Sequence, residues 1–313
     1  MGARIEAVAT SRSRRGPLGR GAIWLADEAA QACLRRAGRE ARELDFLINA
    51  GLYRDHNLGE PAMAAIIQED IHANPDPPLQ GGHGTFSLDV ANGACGVLNG
   101  AHVLDGFLAS GAIALGMVVA ADADPHRYRW RASRFPYDSI GGALLLSRSE
   151  DDAKGFTRFC FATYPDEDDL YEGVVTWEAG RIRRALGGRV PGVRPGRNVL
   201  HIRQRDGYAE RCVACAIAAA RGFLDELGLG AADVDLLLPS PLPACFPEAI
   251  ARALGVPPDR VARAEERLAR CHTAGPMAAL EGALRSGRLA QAKNALFVTA
   301  GAGISVGLAL YRP

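Results

Sequence analysis

The stretch "DVANGACGVLNGAH" (89–102) sets Cys95 among small residues, behind a strand-like segment and ahead of a helix-like apolar pattern. A cysteine at a helix N-terminus meets unpaired backbone N–H groups and the positive end of the aligned peptide dipoles, and both favour thiolate. A thiol of lowered pKa is therefore expected at Cys95. Gly93, Ala94 and Gly96 should leave room for a carbonyl to approach the sulfur, and the Cys95 N–H can point at a developing oxyanion. The competing reading is a small buried cysteine that packs a helix against a sheet. A second candidate is His272 in "CHTAGP" (271–276), an imidazole able to move protons to and from a thiol near neutral pH.

Other motifs carry less. "GISVG" (303–307) matches a hydrolase nucleophile elbow around Ser305, but only six residues follow it and they read as a strand, not a helix. "CVAC" (212–215) has the C-x-x-C spacing, yet it lies within "YAERCVACAIAAARGFLDEL", where both sulfurs share one apolar helix face and no second pair completes a zinc site. His102 follows Cys95 by two helical turns and is expected to be buried packing. Cys271 reads as core. The seven cysteines lack regular spacing and suit reduced thiols better than a disulfide framework. No metal or cofactor is expected.

The elements that position these residues come in two copies. "DEAAQACLRRAGREARELDFLINAG" (27–51) reads as helix, break and buried strand, and "AIAAARGFLDELGLGAADVDLLLPSP" (216–241) repeats the plan, with Leu34, Gly38 and Asp45 each 190 positions before Leu224, Gly228 and Asp235. "VLDGFLASGAIALGMVVAADAD" (103–124) likewise matches "ALEGALRSGRLAQAKNALFVTAGAG" (279–303), with Leu104, Gly106, Leu108 and Gly111 each 176 positions before Leu280, Gly282, Leu284 and Gly287. The same offset sets Cys95 opposite Cys271 and Gly96 opposite His272, at matching helix N-termini. Two pseudo-equivalent α/β halves, 1–150 and 151–313, are expected, with sites between them.

Composition narrows the function classes. Of 313 residues, 48% are hydrophobic, enough for a large core, and Lys plus Arg and Asp plus Glu both total 36, so no net field draws the chain to nucleic acid or an anionic membrane. No apolar run reaches a membrane-spanning length and no secretory signal precedes the first element, so a cytoplasmic protein is expected. The acidic run "PDEDDLYE" (165–172) and the basic run 181–205, with eight Arg, read as a solvated connection or as a docking surface for an acidic carrier or a phosphate. "RYRWRASRF" (127–135) reads as a surface loop near the site entrance.

"DVANGACGVLNG" resembles the segment bearing the acyl-accepting cysteine in the 3-oxoacyl-(acyl-carrier-protein) synthase III group of the thiolase superfamily. "YDSIGGALLLSR" (137–148), "DVDLLLPSPLPACFPEAIARALGVPPDRV" (233–261) and the tail 279–313 resemble later segments of that group in the same order. The resemblance implies a thiolase-like layered αβαβα fold, a homodimer, and an acyl carrier protein or acyl-CoA thioester as partner. It matches Cys95 to the nucleophile and Gly303 of "AGAGIS" to the glycine whose N–H completes the oxyanion hole with that of Cys95.

Two positions depart from the pattern. Ser240 stands where decarboxylating members have His, and His272 stands near their Asn. Stabilising a malonyl-derived enolate takes two donors aimed at one oxygen, whereas one imidazole suffices to take a proton from the thiol and later from an incoming hydroxyl, amine or thiol. The departures therefore imply acyl transfer to a small-molecule acceptor, in polyketide, fatty-acid or secondary metabolism. Decarboxylative condensation and a non-catalytic carrier-binding scaffold are the alternatives. The family's Trp- and Arg-bearing insertion that grips coenzyme A is missing near "RRGPLGRGAIW", which favours a carrier-bound donor.

Overall fold

Short apolar runs bounded by Asp, Asn or Gly form most of the strands in the computed structural model, which describes residues 2–14, 19–55, 60–74, 83–125, 135–179 and 196–313. Strands β1 (Ala3–Arg12), β2 (Phe46–Asn49), β3 (Phe86–Asp89), β4 (Leu115–Asp122) and β5 (Ile140–Arg148) make one sheet in the order β1-β5-β4-β2-β3. Strand β6 (Gly155–Thr163) is followed by a separate antiparallel ribbon, β7 (Tyr171–Ala179) with β8 (Gly196–Gln204). Strands β9 (Leu236–Pro239), β10 (Ala295–Gly301) and β11 (Ser305–Arg312) join β6 in a second sheet, ordered β6-β11-β10-β9.

Helices α1 (Ala22–Ala37) and α2 (Met63–Asp70) cover the outer face of the first sheet, burying Leu25, Ala29 and Ile67 against Leu47, Val119 and Leu145. Helix α3 (Gly96–Ser110) lies between the sheets. Helices α4 (Tyr208–Glu226) and α5 (Phe246–Leu254) cover the outer face of the second sheet over Leu237, Leu296 and Val298, and α6 (Gly275–Arg285) joins α3 in the central layer. The result is the αβαβα stack. Alternation within strands builds it: Phe46 and Ile48 face the central layer while Leu47 faces outward, and Leu236 and Leu238 face it while Leu237 does not. Strands β4, β9 and β10 are buried along their whole length because both faces are covered.

The repeated landmarks do repeated work. Asp45 Oδ2 accepts the N–H groups of Ala114 and Leu115 at 2.7 and 3.0 Å, and Asp235 Oδ2 accepts those of Lys293 and Asn294 at 2.9 and 3.0 Å. Each aspartate thus ties the start of one parallel strand to the start of its neighbour. Gly38 and Gly228 turn out of their helices at φ +66° and +64°, where a side chain would be strained.

Two sequence expectations meet a different outcome. Residues 171–179 and 196–204, within the stretch read as a connection, are ribbon strands. His102, expected to be buried, is exposed and stacks on Phe159 of β6, ring centroids 4.7 Å apart. The basic residues 181–195 and most of 127–135 lie outside the described residues. Among those described, no helix is long and apolar enough to cross a membrane.

Candidate active site

Cys95 ends a single 3-10 turn, Gly93–Cys95, and directly precedes α3. Its side chain points across the layer boundary to the second sheet: the thiol donates to the Ser305 carbonyl, and the Thr299 hydroxyl donates to the sulfur, both at 3.4 Å. The residue is 1% exposed. Burial pushes the thiol up to about 11, against the lowering effect of Thr299 and the Gly307 backbone. This overturns the expected acidic thiol: in the resting structure the desolvation cost of a buried thiolate outweighs the helix N-terminus.

The small residues around Cys95 serve packing more than access. A Cβ on Gly96 would stand 3.2 Å from Ala50 Cβ, and one on Gly301 would stand 3.1 Å from Ala94 Cβ. A Cβ on Gly307 would lie 2.9 Å from the Thr299 hydroxyl and 3.5 Å from Cys95 Cβ, so glycine there lets β11 close on the thiol. The Cys95 N–H, expected to face an oxyanion, donates to the Asn92 carbonyl at 3.0 Å. Gly303 sits in the turn between β10 and β11 at φ +88°, with nothing within 4 Å of where a Cβ would project.

A cavity of about 540 Å³ opens beside this turn. Ala94, Gly301, Ser240 and His272 contribute to its wall, Tyr137 and Tyr208 add aromatic surface, and Arg205 and Arg270 bring positive charge to its lining. Cys95 lies one residue behind that wall. Ser240 follows the last residue of β9; it is 2% exposed and its hydroxyl has no hydrogen-bond partner among the described residues.

His272 precedes α6, and its carbonyl accepts the Gly275 N–H at 3.0 Å. The residue is 7% exposed. One ring edge faces Gly93, whose Cβ position would be 3.7 Å from Cε1 and 4.0 Å from Nε2; Gly93 itself has φ +46°, a conformation that favours glycine. Nδ1, on the other side of Cε1 from Nε2, meets Asp122 Oδ2 at 3.3 Å. Tyr137 stacks on the imidazole with centroids 4.1 Å apart, and Tyr53 lies 5.4 Å away. The structure therefore brings Ser240 and His272 to one cavity wall and sets Gly93, two residues from Cys95, against the imidazole.

Asp122, Thr299 and Tyr137 escaped the sequence reading. Asp122 ends β4 and is 2% exposed. Burial opposes its charge, but the His272 ring and the Tyr53 and Thr273 N–H groups outweigh it and hold the carboxyl below its ordinary value. Tyr137 and Tyr171 share a hydroxyl contact at 3.2 Å, and Tyr53 also meets Tyr171. The ribbon is thereby fastened over the imidazole, since Tyr171 and Gln204 are cross-strand partners and Gln204 donates to Tyr137 at 3.4 Å.

Residues 224–312 match the model of the family described as 3-oxoacyl-[acyl-carrier-protein (ACP)] synthase III C terminal. The beta-ketoacyl-[acyl-carrier-protein] synthase III of Alkalilimnicola ehrlichii is 27% identical over 295 residues, covering 92% of this chain and 83% of that one. Among solved structures, the 3-oxoacyl-[acyl-carrier-protein] synthase III of Aquifex aeolicus superposes with a TM-score of 0.76 at 18% identity, covering all of both chains. Xanthomonas campestris OleA with bound lauric acid and lauroyl-CoA superposes at 0.78 and 15% identity, over 100% of this chain and 99% of that one. With the duplicated five-layer fold already evident, the chain is similar over most of its length to 3-oxoacyl-(acyl-carrier-protein) synthase III and shares the fold of the solved synthase III and OleA structures.

Proposed function

We propose that this protein is an acyltransferase that takes an acyl group from a carrier-protein or coenzyme A thioester onto Cys95 and passes it to a second nucleophile. The observation that carries this reading is the composition of the cavity wall: one buried imidazole, His272, edges the turn that bears Cys95, and Ser240 stands where the resemblance places the histidine of a decarboxylating site. One imidazole moves one proton at a time, which transfer needs. Enolate stabilisation asks for two donors on one oxygen.

In the first half-reaction the thiol proton passes to His272 and the sulfur attacks the donor carbonyl. The donor C–S bond breaks and the departing thiolate receives the proton. In the second half-reaction an acceptor O–H, N–H or S–H gives its proton to His272 as it attacks the acyl carbon; the Cys95 C–S bond breaks and the thiol is restored. Gly303 N–H is proposed to hold the oxyanion, joined by that of Cys95 once its Asn92 contact is released. Ser240 lines the acceptor side.

Intact mass after incubation with a panel of acyl-CoA and acyl-carrier thioesters tests the reading. An acyl adduct on the wild type that is absent from Cys95→Ala is expected; equal labelling of both removes Cys95 from the chemistry. Carbon dioxide release from a malonyl thioester separates condensation from transfer, and none is expected. The buried, high-pKa thiol favours one other reading, a carrier-binding scaffold without chemistry. A Cys95 that resists iodoacetamide at neutral pH and forms no adduct with any thioester would establish it.

A further inference from the structure

Asp122 and His272 come from different halves of the chain, 150 residues apart, and meet in the buried centre. The Asp122 carboxylate is saturated with donors. Oδ1 accepts the N–H groups of Leu52 and Tyr53 at 3.2 and 3.0 Å; Oδ2 accepts the N–H and hydroxyl of Thr273 at 2.9 and 2.7 Å and faces Nδ1 of His272. An ionised carboxylate only accepts hydrogen bonds. Nδ1 must therefore carry the ring proton, and in the neutral imidazole the lone pair lies on Nε2.

The ring is also prevented from turning. Tyr137 stacks on it at an interplanar angle of 23°, and rotating the imidazole by half a turn would replace the Nδ1 contact with Asp122 by a C–H group. The edge left free is the one that faces Gly93, where the lack of a side chain keeps Cε1 and Nε2 uncovered toward the turn that carries Cys95. We infer that Asp122 is the positioning residue of the site: it fixes His272 as the Nδ1–H tautomer, aims Nε2 at the Cys95 turn, and balances the imidazolium charge when the thiol proton arrives. The inference rests on the transfer reading above.

The other titratable or charged groups packed around this pair are the hydroxyls of Tyr53, Tyr137 and Tyr171, the Cys271 thiol, and Arg270 with its partner Asp138. Burial pushes the three tyrosines and Cys271 upward, so they stay neutral over the working range. Arg270 and Asp138 offset each other toward the surface. Asp122 is left as the one resident charge in contact with the imidazole among the described residues.

The test follows Cys95 alkylation by iodoacetamide, read by mass spectrometry from pH 6 to 10, a measurement independent of any acyl donor. D122N should slow alkylation at pH 7 by about 10–100-fold, the scale seen when the carboxylate orienting a metal-bound histidine is lost, and should move the profile upward to that of H272A. In the H272A background D122N should cost nothing more. An equal loss in both backgrounds, or a D122N profile that superimposes on the wild type, overturns the inference. Should D122N fail to fold, nitrogen-15 NMR of wild-type histidines decides: a His272 protonated on Nδ1 supports the assignment and one protonated on Nε2 sinks it. Absence of an acyl adduct on the wild type would defeat the transfer reading and leave these measurements intact.

Discussion

At the scale of single residues the site is a contest over one proton. Cys95 stands directly before α3, a position that favours thiolate, yet its thiol is pushed up to about 11 because water is excluded from the sulfur. The larger share of the charge stabilisation the sulfur receives comes from the Thr299 hydroxyl at 3.4 Å, ahead of the Gly307 backbone; that hydroxyl also reaches the Gly307 carbonyl at 3.2 Å. Thr299→Val keeps the shape and removes that donor. Because Thr299 lowers the thiol pKa, its loss should raise it, so the Cys95 alkylation profile should move to higher pH and the rate at pH 8 should fall several-fold. Leaving the Gly307 carbonyl without this donor should cost about 1 kcal/mol in a denaturant titration. An unchanged profile would mean that Thr299 does not act on the sulfur.

At the scale of elements, helices α1 and α2 carry a like-charge contact away from the site. Burial, then the neighbouring Asp70, push Asp27 up to about 7. The sign follows from linkage: a carboxyl raised in the folded state binds its proton more tightly there, so its contribution is full below the unfolded value near 4 and is lost as pH rises through about 7. Asp27→Asn should leave stability at pH 4 nearly unchanged and raise the melting temperature at pH 8 by about 1–2 °C, on the scale of 1 kcal/mol for a chain of this size once the half-exposed position of Asp27 is allowed for. Thermal melts of both proteins across this range check it; parallel curves would exclude Asp27 as the titrating group.

Elements were legible in the sequence where burial is one-sided or complete. Leu34 and Leu224, Gly38 and Gly228, and Asp45 and Asp235 fall at equivalent places in α1–β2 and α4–β9 because each landmark has a local task, whether packing, helix exit or strand alignment. The β7–β8 ribbon was not, because residues 172–177 of β7 are all exposed and a stretch with neither face buried has no period-two signature. Ser240 and His272 were found by comparison with a motif. Asp122 was not, since its partner lies 150 positions away and nothing in "VVAADAD" distinguishes it from Asp124. The small residues around Cys95 divide between two tasks: Gly96 packs against Ala50, whereas Ala94 lines the cavity and Gly93 faces the His272 ring.

At the scale of the whole molecule, the first sheet ends on an edge that needs covering. Strand β3 pairs with β2 along Phe46↔Phe86 to Asn49↔Asp89, and among the described residues no strand pairs with its other side. Phe86 is 59% exposed and Phe107 41%, and both rings pack on buried Phe46, with centroids 4.9 and 5.1 Å from it. An open edge beside an aromatic patch invites strand addition, and a second copy of the same edge, related by a two-fold axis, would pair antiparallel with it and bury both patches. The homodimer that the family resemblance implies is therefore expected to form across β3. Phe86→Asp places a charge in the middle of that contact, and light scattering after gel filtration should show wild-type protein at about twice the mass of the variant at micromolar concentration. A wild type that runs as a monomer, or a variant that stays dimeric, would place any interface elsewhere. The geometry adds a further expectation: Asp89, at the end of β3, accepts the N–H groups of Met63 and Ala64 at the start of α2 and the Asn49 side chain, and the chain reaches Cys95 six residues later. Strand pairing would stiffen the segment that delivers the thiol, so a monomeric Phe86→Asp should also show faster amide exchange across residues 86–95, whereas exchange at β10 and β11 should not change.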